Sequence, residues 1–169
     1  MLEDLGNIGD FLGGIGVVVT LIYLALQIRQ NSSQVAQNTK AVQSNAYQAI
    51  TQNHNSYNEW FVTHRDLAEL LIKANTDPDS IDDVDQLRLG GMSSSMYRNF
   101  ENLREQFRAG LVTEAQWLGW SRLLTGMLTM NPAHRFFWSQ GGSDLYTPDF
   151  RGYINELLSA IGEVRSKDL

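Results

Sequence analysis

The side chains able to do chemistry are few and scattered. His54, His64 and His134 stand far apart, and no two share the spacing of a helical metal site, so each reads as a surface or capping residue. Glu101, Arg104, Glu105 and Arg108 follow one another at helical spacings of three and four, which predicts a solvated face of weak ion pairs. Ser93, Ser94 and Ser95 come after Gly90 and Gly91, but no strand precedes them and no phosphate-loop lysine follows, so nucleotide binding has no support. Arg122, Arg135 and Arg151 would form an anion site only if the fold gathered them. No serine, histidine and acid can be nominated as a triad from spacing. With no cysteine in the chain, thiolate catalysis, disulfides and cysteine-type metal sites are excluded together. No catalytic, cofactor-binding or metal-ligating residue is therefore nominated, and a non-enzymatic protein is expected.

Bulk charge narrows the partners. A formal charge of −6 and a pI near 4.9 argue against nucleic acid. The chain of 169 residues has only Pro78, Pro132 and Pro148, and no glycine between Gly16 and Gly90. Little interrupts helices there, and an all-α fold is expected.

Three parts follow from the hydropathy pattern: a transmembrane helix over residues 1–29, an amide-rich helical stalk over 30–60, and a compact helical bundle over 61–169. From Phe11 to Ile28 no residue is charged. Eighteen helical residues rise about 27 Å, close to the hydrocarbon thickness of a bilayer. The acidic leader, with Glu3, Asp4 and Asp10, does not suit a cleaved secretory signal. A helix buried all round in a soluble core is the alternative, but the remaining domain is small for wrapping it. Arg29 and Lys40 follow the span while no Lys or Arg precedes it, which places the C-terminal domain in the cytoplasm.

Small residues in the span recur at one period. Gly6, Gly9, Gly13, Gly16 and Thr20 are spaced three, four, three and four, which keeps them on one stripe of a helix. In lipid, helices associate by close backbone packing, and such a stripe permits it. The same spacing continues through Tyr23 to Gln27, Gln30, Gln34 and Gln37, so the small face becomes an amide face. Amides suit hydrogen bonds between neighbouring helices, or a neutral wet lumen. Asp10, beside the stripe, reads either as a first-turn carboxylate favoured by the helix dipole or as one member of a ring at a pore mouth.

The rest is punctuated helix. "HRDLAELLIKAN" is amphipathic through Leu67, Leu70 and Leu71, and the acidic turn "TDPDSIDDVD" follows. A helix from about Val84 to Ala109 carries Leu87, Met92, Met96, Phe100, Leu103 and Phe107, with Gly110 as its stop. Thr113 and Gln116 match a capping box; Pro132 and Pro148 suit first turns, and Thr147 suits an N-cap. Trp117, Trp120, Phe136, Phe137, Trp138, Phe150 and Tyr153 are expected in the core.

In order, "LGNIGDFLGGIGVVVTLIYLALQIRQN", "HRDLAELLIKAN", "YRNFENLREQFRAGLVTEAQWLGW" and "HRFFWSQGGSDLYTPDFRGYINELL" resemble a widespread group of uncharacterised bacterial single-span membrane proteins with a small aromatic helical domain. The resemblance implies a protein of the bacterial inner membrane and brings neither an activity nor functional residues. The leading reading is a lipid-anchored homo-oligomer serving as a scaffold. A homo-oligomeric channel and an accessory subunit of a larger membrane complex are the alternatives.

Overall fold

In a computed structural model the backbone is described for residues 2–167 and side chains for residues 12–162. The described chain is all-helical, with α1 at Leu2–Thr63, α2 at Arg65–Thr76, α3 at Asp83–Arg108, α4 at Glu114–Met130, α5 at Pro132–Ser139 and α6 at Pro148–Lys167. Short 3-10 turns lie at Pro78–Ser80 and Gly142–Leu145. Contacts divide the chain into a unit ending at Ser44 and a second beginning at Asn45.

The first unit is one stretch of helix. It contains an 18-residue window with a mean hydropathy of 1.8, none of it buried, so it is long and apolar enough to cross a membrane. Thr20 and Thr39 return their hydroxyls to the carbonyls of Gly16 and Val35, at 2.8 and 2.9 Å, which satisfies both within the helix.

In the second unit the end of α1 packs with α2 to α6. Its core includes Ile50 and Tyr57 of α1, Met96, Tyr97, Phe100 and Leu103 of α3, Leu124 and Leu128 of α4, Trp138 of α5, and Phe150 and Ile154 of α6. Core residues thus begin well before residue 61. Ile50 and Tyr57, seven residues apart on one helical face, are hidden in composition by the amides around them.

Local signals act where they were expected. Thr113 and Gln116 form the reciprocal box, with Thr113 N–H donating to Gln116 Oε1 at 2.9 Å and Gln116 N–H to Thr113 Oγ at 3.3 Å. Gly110 ends α3 with φ +73, a region open to glycine. The break between α1 and α2 has no Pro or Gly. There the Thr63 hydroxyl donates to the Glu59 carbonyl at 2.6 Å and meets His64 Nδ1 at 2.7 Å, a local competitor for the helical pattern.

Two apolar expectations fail. Phe136 is 62% exposed and Leu87 79% exposed, because each lies on the side of its short or terminal turn that no neighbour covers. Trp117, Trp120, Phe137 and Tyr153 are partly buried against the core, while Tyr57, Tyr97 and Tyr146 join its interior.

Candidate functional site

The proposed assembly face is described from Gly13 onward; the side-chain surroundings of Gly6, Gly9 and Asp10 lie outside the described residues. A Cβ added at Gly13, Gly14 or Gly16 would meet nothing within 4 Å. Gln27, Gln30, Gln34 and Gln37 are exposed. Stepping on by four and three from Gln37 gives Ala41, Ser44, Gln48, Thr51, Asn55 and Asn58, again small or amide residues. Within the bundle Gln48, Asn55 and Asn58 are exposed while Ile50 and Tyr57 point inward.

Polar chemistry in the bundle gathers around His134, contrary to its expected place on the surface. The residue is 1% exposed, and Ser93, 0% exposed, lies against it with Oγ 2.8 Å from Nδ1. Nε2 is 3.4 Å from the hydroxyl of Tyr57, and Tyr97 OH donates to the His134 carbonyl at 3.1 Å. Burial lowers the His134 pKa to about 4, so the ring is neutral near neutrality. One ring nitrogen then carries the proton, and the flanking hydroxyls can each donate or accept. Burial also raises both phenols, Tyr57 and Tyr97. Ser93 and His134 resemble a nucleophile and its base, yet both are closed off from substrate; the arrangement satisfies polar groups in a core. Ser93 precedes Tyr97 and Phe100 by four and seven residues, a helical signal of burial, but its partner 41 residues away has none.

His54 and His64 occupy other places. The His54 ring stands edge-on to Trp120 at 4.9 Å between centroids, and partial burial lowers its pKa. His64 is exposed at the start of α2 and accepts the Leu67 N–H on its carbonyl at 3.1 Å. Among the described residues no group of three His, Cys, Asp or Glu could hold a metal ion.

The charged run on α3 is a tertiary fastening. Glu101 is 5% exposed, pairs with Arg98 and accepts the Thr147 N–H at 2.8 Å, at the start of α6. Arg98 also donates to the Leu145 carbonyl at 2.9 Å and lies 4.7 Å over the Tyr146 ring. Arg104 reaches Asp149 at 2.8 Å and rests over Tyr153 at 4.4 Å, while Arg108 meets Asp149 at 3.1 Å. Those bonds hold the Asp149 carboxyl below its ordinary range, Arg104 foremost. The three candidate arginines of an anion site are otherwise engaged or apart: Arg135 donates to the carbonyls of Leu128 and Thr129, Arg151 pairs with Asp144 at 3.2 Å, and Arg122 is exposed.

An open groove of about 510 Å³ runs past Tyr47, Ala115, Gln116, Gly119, Trp120 and Leu123. No charged side chain lines it, and it assembles no acid, base or nucleophile. Compared with family models, curated proteins and solved structures, the chain shows no significant match.

Proposed function

We propose that the chain is a non-enzymatic, single-span protein of the bacterial inner membrane that assembles with its own copies through α1 and presents its bundle on the cytoplasmic side as a scaffold. The observation carrying this reading is that the glycines of α1 serve no contact within their own chain. Glycine inside a helix costs about 1 kcal/mol relative to alanine. Gly13, Gly14 and Gly16 incur that cost beside open space, and close approach of another helix is what would offset it. The apolar stretch has no cover from the chain, which lipid would supply. Past the span, the exposed glutamines offer donors and acceptors to a neighbouring helix.

The test is native mass in detergent. Gly9→Leu with Gly13→Leu should lower the oligomer toward monomer, and unchanged mass would refute packing through the stripe. Reconstituted protein should pass no ions while remaining oligomeric; flux that falls on Asp10→Asn would replace the scaffold with a channel.

A further inference from the structure

The His134 cluster joins three helices. Nε2 faces Tyr57 of α1, Nδ1 faces Ser93 of α3, and His134 itself belongs to α5. The three contacts differ in kind. α5 is held to α3 by Ser93 and by the Tyr97 hydroxyl on the His134 carbonyl, and to α2 by Asn75, which donates to Asn131 at 2.9 Å and accepts the Ala133 N–H at 3.1 Å. The end of α1 meets the bundle through large side chains, among them Ile50, Tyr57, Trp60 and Phe61. The long Tyr57 contact is the hydrogen-bonding cover of Nε2.

We infer that His134 is a proton-sensitive clasp: its neutral ring holds residues 45–63 of α1 onto the bundle, and a proton on Nε2 releases that stretch. An imidazolium donates from both nitrogens and needs water or a carboxylate beside it. No carboxylate hydrogen-bonds the ring. The titratable groups on it are phenols, Tyr57 from α1 and Tyr97 from α3, both kept protonated by burial. On α5 itself Arg135 is turned to carbonyls of α4, a cation that adds no compensation. From α2 the nearest polar partner is the neutral Asn75, and α4 contributes Leu124 and Leu128 to the core. Tyr146, near Tyr97, spends its hydroxyl on the Ser94 carbonyl. Moving Tyr57 aside is the route that hydrates Nε2 while leaving the other fastenings of α5 intact.

The sign follows from linkage. Closed, the ring takes a proton only near pH 4; opened, it does so near its ordinary 6.5. The opening constant therefore rises about tenfold for each pH unit between those values as the medium is acidified. Above pH 6.5 it is flat.

Because the chain has no cysteine, a single one can report opening. In the full-length protein in detergent, Ile50→Cys reports on α1 and Leu124→Cys on α4, each labelled with dipyridyl disulfide, which reacts in acid. Rates are divided by those of an unfolded control at the same pH. Position 50 should gain about tenfold per unit from pH 6.5 downward, with position 124 lagging. In His134→Gln the gain should vanish, and in His54→Gln, which removes the half-buried histidine on the same stretch, it should persist. Parallel rates at 50 and 124, or a slope that survives His134→Gln, would overturn the clasp. Should His134→Gln not fold, the ring's own NMR titration decides: a midpoint near 4 supports it and one near 6.5 refutes it.

Discussion

The buried carboxylate of Glu101 on α3 accepts the backbone N–H of Thr147 at 2.8 Å, so a side chain of one helix caps the start of another 46 residues later. Its second oxygen meets Arg98, which in turn reaches the Leu145 carbonyl. Glu101→Ala strands the Thr147 donor and the Arg98 charge together, and should destabilise the bundle by about 1–3 kcal/mol. Glu101→Gln keeps an acceptor for Thr147 and should cost less than the alanine variant. Denaturant midpoints of the two variants check the order.

Arg104 and Asp149 form a half-exposed pair at 2.8 Å. Because Asp149 titrates below its ordinary 3.8 in the folded chain, its contribution is present above that value and is lost as the pH falls through the folded pKa. Arg104→Gln should lower stability at pH 7 by no more than about 1 kcal/mol, given solvent screening. The difference from the parent should vanish below pH 3, as read from thermal melts across pH.

Two glycines should respond in opposite directions. A Cβ on Gly142 would lie 2.6 Å from the Phe137 carbonyl oxygen and 2.5 Å from its ring, and backbone cannot yield as a side-chain tip can. Gly142→Ala should therefore destabilise by about 1–3 kcal/mol. Within α4, Gly126 has nothing within 4 Å of such a Cβ, and Gly126→Ala should stabilise by about 0.5–1 kcal/mol through helix propensity. Melting temperatures of the pair decide both signs.

Charges placed on the amide face separate assembly from folding. Gln30→Lys with Gln34→Lys puts like charges on adjoining copies while disturbing no side chain of the bundle core, since both positions are exposed. Native mass should fall toward monomer, with partial recovery at high salt, and the bundle's melting temperature should not move.

Signals that act within a few residues were legible in the residues themselves. The capping box at Thr113 and Gln116, the stop at Gly110 and the first-turn prolines Pro132 and Pro148 each act over three or four positions, and they mark the helices that form. Apolar length alone likewise marked the unburied helix near the N-terminus, and small-residue spacing marked its stripe.

Tertiary structure decided what depends on distant partners. Spacing made Glu101 and Arg104 look like neighbours on a wet face, yet Thr147 and Asp149, more than 40 residues on, claim them. His134 carries no local sign of burial; Ser93 and Tyr57 enclose it from two other helices. The packed unit reaches back to Ile50 and Tyr57 because burial depends on what faces a residue, which the composition of its own segment does not record. Periodicity fixes which side of a helix a residue occupies, and only the assembled chain fixes whether that side meets protein or solvent.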